Sequence, residues 1–301
     1  MPGGVTVTHR PLEPMFEVQI LAGQQFCPLH LTRGSCDVKT SKGSRISERS
    51  PMESNLAVII LAAGQGKRLG GESQKVVKKI FDKPILLYLI STIEKLSHDR
   101  IIVVVGFGKE EVFEQLRGRD VEYVEQEILR GTGDAVLQTR GILEGYKGNI
   151  LILCGDVPFI TLNTLKNLVA KHAEDRNCGT ILTFVLDNPV GYGRIKRDSS
   201  GSVVSIVEEP NATEMERRIK EVNAGIYVFE KKILFSALEK VLPDRVKKEY
   251  YLTDVVEILS SQGRKIGVYT TMKAQECMGI NNVQDIEKAR QYLLGKEVLD
   301  Q

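Results

Sequence analysis

The chain has 301 residues, 42% of them hydrophobic and 27% charged, which is enough apolar material for one sizeable domain or two small ones. A formal net charge of +2 gives no global basic field and argues against nucleic acid as a partner. No apolar run reaches the roughly 18 residues of a membrane span, and the N-terminus has no basic segment leading into a secretory core, so a cytoplasmic protein without membrane contacts is expected.

Residues 1–51 lack clean periodicity and end in a polar stretch running from Lys39 to Pro51, which predicts a poorly ordered extension ahead of a folded domain spanning 52–301. From Leu56 onward, strands and helices alternate. The predicted strands are Leu56 to Ala62, Arg100 to Val105, Val121 to Glu125, Asn149 to Cys154 and Thr180 to Val185. Helices are predicted between them at Pro84 to Leu96, Lys109 to Leu116, Asp134 to Leu143 and Thr161 to His172. After Pro189 the pattern loosens into hairpin-like strands at Arg194 to Arg197, Val203 to Glu208 and Asn223 to Phe229. Helices resume at Lys231 to Lys240 and Thr253 to Ser261, followed by a strand at Gly267 to Thr271 and a helix at Val283 to Leu294. The order implies an α/β fold: a Rossmann-like, open, mostly parallel sheet with helices on both faces, carrying an inserted β-rich subdomain. Ligands of such sheets bind beyond the carboxyl ends of the strands.

Two stretches carry chemistry at that edge. Leu61-Ala62-Ala63-Gly64-Gln65-Gly66-Lys67-Arg68 turns straight out of the first strand and leads to Lys75. Glycines there leave backbone N–H groups open to phosphate oxygens, and Arg68 and Lys75 add fixed positive charge. A P-loop is excluded because Gly66-Lys67 is followed by Arg68. A dinucleotide fingerprint is excluded because Leu69 stands where the third glycine belongs. The second stretch is Leu151 to Pro158, where Gly155-Asp156 closes a strand. Asp156 is placed either to hold Mg²⁺ or to cap the helix starting near Thr161, and the nearby phosphate loop favours metal. Gln126 and Arg130-Gly131-Thr132-Gly133 lie between a strand and a helix, suited to reading a base edge or simply to making a turn.

The five cysteines are widely spaced without histidines at zinc-ligand spacing, and the four histidines form no triad-like group. Reduced thiols are expected, with Cys154 acting as a small hydrophobe.

Together these motifs resemble the N-acetylglucosamine-1-phosphate uridyltransferases of the sugar nucleotidyltransferase fold, over roughly Asn55 to Val283. Gly191-Tyr192-Gly193, Glu208, Glu221 to Gly225, Glu249 to Asp254 and Gly279 to Asn282 follow in the family's order. The resemblance implies UTP and N-acetylglucosamine-1-phosphate as substrates, in a step that feeds cell wall synthesis. It also implies a triphosphate loop from Leu61 to Gly66 with Arg68 and Lys75 as catalytic cations. Gln126, Gly131 and Thr132 would read uracil, and Gly193, Glu208 and Asn223 would hold the sugar and ribose. Mg²⁺ would sit on Asp156 and Asn281, with Asn282 substituting if the register is off by one. Tyr250, Tyr251 and Thr253 are expected to shape the helix near Asp254. Two departures stand out: Gln74 replaces the family's usual proline before the lysine, and Lys67 replaces a small hydroxyl residue. The sequence ends at Gln301 without the left-handed β-helix found in many members, so no acetyl transfer is expected. A thymidylyl-, guanylyl- or cytidylyltransferase, a noncatalytic nucleotide-sugar sensor and a nucleotide-dependent oxidoreductase are the competing readings. The last is disfavoured by the missing third glycine.

Overall fold

A computed structural model describes residues 55–66, 74–244 and 247–299, the last four by backbone alone, together with the backbone of 38–39 and 45–46. The chain divides into two compact units, Met1–Met52 and Glu53–Gln301. In the first, β1 (Val38–Lys39) pairs antiparallel with β2 (Arg45–Ile46); the rest of the expected extension lies outside the described residues.

The second unit is built on β3 (Leu56–Ala62), whose unbroken apolar run suits a strand covered on both faces. β6 (Arg100–Val105) and β8 (Asn149–Cys154) flank it in parallel, and β7 (Glu122–Glu125) extends β6, also in parallel. Beyond β8 comes β12 (Glu221–Glu230), antiparallel to both β8 and β9 (Gly179–Val185). β13 (Ile266–Thr270) then adds to β9 in parallel. The strands β3, β6, β7, β8, β9 and β13 therefore end on one edge, and β12 enters from that edge.

The expected β-rich insert is the hairpin of β10 (Arg194–Arg197) and β11 (Val203–Val207). It forms no sheet of its own: β10 pairs with the first half of β12, where β8 has run out, and the hairpin continues the nine-stranded sheet. A bulge between Asn223 and Tyr227 marks the exchange of partner.

Side chains alternate across the strands as their period of two requires. Leu56, Val58 and Ile60 of β3, with Val103 and Leu151 beside them, face a core closed by α1 (Ile85–Ile93), α2 (Lys109–Gln115) and α4 (Leu162–Glu174). Ala57 and Ile59, with Ile102 and Ile152, face the opposite core under α3 (Thr132–Gln138), α6 (Lys231–Leu238) and α7 (Asp254–Ser261). A smaller cluster of Ile80, Ile85, Phe159, Ile280 and Ala289 seats α8 (Val283–Leu299), with the Phe159 and Tyr292 rings 5.0 Å apart. The remaining pieces are local: β4 (Lys79–Ile80) with β5 (Lys83–Pro84), and α5 (Glu214–Arg217), which carries a Thr213/Glu216 capping box.

The double coverage of β3 makes its inward side chains the test of this core. Ile59→Ala is expected to cost about 2 to 5 kcal/mol, read as a lower urea midpoint at an unchanged denaturant slope.

Candidate functional site

The loop after β3 is held in place by its neighbours. The Gly155 N–H donates to Leu61 O at 2.9 Å, and the Phe107 N–H donates to Ala63 O at 3.3 Å. Gly64 is exposed, with nothing within 4 Å of where a Cβ would stand. Gly66 takes a left-handed backbone, φ +61°, and a Cβ on it would come 2.6 Å from Lys75 Cβ, so only glycine lets the loop fold back on the lysine. Arg68 lies outside the described residues, as does Lys67.

Lys75 opens a 3₁₀ turn, Lys75–Val77, and Gln74 fixes that turn from within. The Gln74 side chain is fully buried. Its Nε2 donates to Ala62 O at the end of β3, and its Oε1 accepts from Val76 N–H at 3.0 Å. The amide therefore tethers the lysine turn to the strand, which supplies by hydrogen bonding the stiffness expected from a ring. Sequence reasoning saw only the missing proline there.

The Lys75 ammonium donates to the Asp156 carboxylate and, at 2.8 Å, to Asn281 Oδ1. Asp156 does not cap α4: Thr161 does, accepting from Thr164 N–H at 3.3 Å. The backbone oxygen of Asp156 instead accepts from Ile280 N–H at 2.9 Å, which draws in the segment carrying Asn281. The alternative residue, Asn282, is excluded from the cluster because its Oδ1 accepts from Asp285 N–H at 2.9 Å and caps α8. Among the described residues no group of three or more His, Cys, Asp or Glu side chains gathers to hold a metal. The donor set at this point is one carboxylate and one amide oxygen meeting at a single cation, which suits a hard ion that keeps much of its water. Burial pushes the neighbouring Cys154 thiol up to about 12, with the Asp156 carboxylate adding to the effect, so it is inert packing under Gly225.

The Gly131 loop is clamped by the backbone of the Glu249–Asp254 stretch. Tyr250 N–H donates to Arg130 O at 2.7 Å, Gly133 N–H donates to Tyr250 O at 2.8 Å, and Leu252 N–H donates to Thr132 Oγ1 at 3.0 Å. A Cβ on Gly131, φ +103°, would come 2.6 Å from Tyr250 O. Tyr250 thus shapes the Gly131 loop through its backbone. Buried Gln126 faces this loop, donating to Gly131 O and Asp134. A polar cleft lined by Glu125, Glu127, Ile128, Arg130, Asp134 and Gln138 opens beside it, and neither Lys75 nor Asp156 lines that cleft.

The third group forms around the β12 bulge. Asn223 Oδ1 accepts from Gly225 N–H at 3.0 Å and its Nδ2 donates to Tyr227 OH at 2.6 Å, while its backbone N–H donates to Gly193 O at 2.9 Å. Glu208 accepts from the Thr253 hydroxyl at 2.9 Å, and burial raises its carboxyl above the usual range. Thr253 thus also positions Glu208, in addition to opening α7. Sequence reasoning missed the latch behind Gly193: Arg194, 1% exposed, pairs with Glu209 at 2.6 Å, and Glu209 also accepts from Gly191 N–H at 3.2 Å. The only hint was the arginine after Gly193.

Replacing Gln74 with Ala leaves Ala62 O and Val76 N–H without this partner. The expected loss is about 1 to 3 kcal/mol, measured by denaturant unfolding. Asp254 offers a pH test. Burial, with the Glu257, Glu208 and Asp244 carboxylates, raises its carboxyl from 3.8 to about 6. The folded state then holds this proton more tightly than the unfolded chain, so its contribution to stability falls as pH rises from about 4 to about 6. Asp254→Asn is expected to raise the melting temperature relative to the parent at about pH 7.5, with the difference shrinking toward pH 4.

The family model described as "Nucleotidyl transferase" matches residues 57–289. The chain is 44% identical over 243 residues to the "Bifunctional protein GlmU" of Caldicellulosiruptor saccharolyticus, covering 80% of this chain and 52% of that protein. It is 40% identical over 235 residues to the protein of the same name from Bacillus licheniformis, covering 78% and 51%. The chain thus spans about half the length of these curated relatives. The crystal structure of UDP-glucose pyrophosphorylase complexed with UDP-glucose shares the fold, with a TM-score of 0.63 at 18% identity over 80% of this chain and 99% of that one. Among the described residues no helix is long and apolar enough to cross a membrane. By its match over most of its length, the chain belongs to the nucleotidyl transferase family.

Proposed function

We propose that the chain is a uridylyltransferase that joins UTP and N-acetylglucosamine-1-phosphate into UDP-N-acetylglucosamine with release of pyrophosphate. The observation that carries this reading is the convergence of Lys75, Asp156 and Asn281 beside the glycine loop that ends β3. The order of motifs shared with the uridyltransferases, and the similarity to the GlmU proteins, support the choice of substrates.

In the proposed reaction an oxygen of the sugar phosphate attacks the α-phosphorus of UTP, forming a new O–P bond as the bond from the α-phosphorus to the bridging oxygen breaks. The electron pair leaves with pyrophosphate. The attacking phosphate is already ionised near neutral pH, so the site needs no general base. In this reading the backbone N–H groups of Gly64 and Gly66 face the phosphates. Lys75 neutralises charge that builds on the leaving group, joined in this reading by Arg68. Gln126, Gly131 and Thr132 orient the base; Gly193, Glu208 and Asn223 hold the sugar and ribose. Asp156 and Asn281 are the residues that would hold Mg²⁺, which when bound adds positive charge against the phosphate oxygens. In this reading residues 52–301 form the transferase domain, 1–51 are an extension, and the protein works in the cytoplasm.

The test is a matrix of nucleoside triphosphates against sugar-1-phosphates with Mg²⁺, following pyrophosphate. The pair UTP and N-acetylglucosamine-1-phosphate is expected to give the highest kcat/KM. A different winning pair would reassign the substrates. Lys75→Ala and Asp156→Asn are each expected to lower kcat by about 100-fold or more, with melting temperatures close to the parent. Near-parental turnover in either variant would remove the assignment.

A further inference from the structure

Gln126 is 4% exposed, and its backbone N–H continues the sheet by donating to Val105 O at 2.8 Å. Its side chain can donate twice and offers one oxygen as acceptor. Both donations are spent inside the protein: Nε2 reaches Gly131 O at 3.0 Å and Asp134 Oδ2 at 2.7 Å. Asp134 is itself 8% exposed, and its other oxygen accepts from Gln138 Nε2 at 3.2 Å. A carbonyl and a carboxylate only accept, so turning the Gln126 amide over would press its oxygen against two others. The orientation is therefore set by charge, and the bond to the carboxylate is the stronger of the two. The remaining atom, Gln126 Oε1, receives no hydrogen bond from the described residues and is not sealed in the interior.

We propose that Asp134 is a specificity-determining positioning residue. By holding the Gln126 donors it leaves only an acceptor to meet the nucleotide base. It thereby selects a pyrimidine that presents an N3–H, uracil or thymine, over cytosine, whose N3 is itself an acceptor. The proposal deepens the transferase reading and rests on its placement of the base at Gln126. A glutamine free to turn would pair with either kind of base. Fixed by Asp134, it sets two lone pairs against each other when cytosine enters, and that repulsion rejects CTP. Asp134 touches no substrate in this scheme; it acts through Gln126.

The test measures dissociation constants for UTP and CTP by titration calorimetry without acceptor sugar, in the parent protein, Asp134→Asn and Asp134→Leu. The parent is expected to favour UTP by about 10-fold or more, the scale of one satisfied against one opposed hydrogen bond. In Asp134→Leu that ratio should fall by about 10-fold through weaker UTP binding, with CTP unchanged or tighter. Asp134→Asn, which keeps an oxygen for Gln126 Nε2, should retain most of the ratio. If Asp134→Leu does not fold, Asp134→Ser removes the same carboxylate with less bulk and should show the same fall. An equal loss of both affinities would mean that Asp134 only props up the loop, and an unchanged ratio, or a parent indifferent to the base, would likewise overturn the proposal. Failure of the transferase reading appears separately, as selective UTP binding without pyrophosphate release on adding N-acetylglucosamine-1-phosphate.

Discussion

The ammonium of Lys75 is where three distant stretches of the chain meet, and the rest of the site is organised around that meeting. One stretch comes from the turn after β3, one from the end of β8, and one from the segment entering α8. Each is fixed by a different force. Gln74 ties the lysine turn to Ala62, the parallel pairing of β3 with β8 brings Asp156 to the same edge, and Ile280 bonds to Asp156 while its side chain lies in an apolar cluster. A cation held between two oxygens is favourable only if those oxygens are not free to relax into water. Here the sheet, the 3₁₀ turn and the seat of α8 all restrict them.

Outside that centre, the residues expected to meet substrate are supported mainly by backbone. Tyr250 lends its N–H and C=O to the Gly131 loop, and Gly193 lends its C=O to Asn223. Side chains form the next layer: Thr253 behind Glu208, Glu209 behind Gly191 and Arg194, Asp134 behind Gln126. Backbone contacts of this kind tolerate changes of side chain, whereas the buried polar layer does not, because each lost partner leaves a donor or acceptor without water.

Much of the scaffold was legible in the sequence because its strands are buried on both faces and read as unbroken apolar runs. β3, β6 and β8 fall where the pattern put them. Helix ends were less legible. The apolar pattern continues past Ile93 and Gln138, but the chain there leaves the helix for turns. Beyond Gln138 the Thr139 hydroxyl donates to Val136 O at 2.7 Å. That Lys75 and Asp156 lie at one sheet edge was expected from the two loops, but their direct ion pair was not, because the sequence points to Asp156 as a metal ligand or a helix cap. The choice between metal ligand and helix cap was not resolvable from spacing, since Thr161 and Asp156 both precede α4. The role of Gln74 was hidden for a similar reason. A glutamine in a polar loop looks solvated until the fold shows it fully buried against the end of β3. The continuity of the β10–β11 hairpin with the main sheet was also out of reach, because it depends on a strand that changes neighbours halfway along.

Asn281 and Asn282 are identical side chains one residue apart with unrelated tasks, one turned to Lys75 and the other beginning α8. Asp285 separates them by accepting the backbone N–H of both, at 2.8 and 3.1 Å. The interval between Ile280 and Asp285 is thus a ruler as much as a connection. Lengthening or shortening it by a single position would pull an asparagine out of register with Lys75 or with the start of α8 and misplace the chemistry.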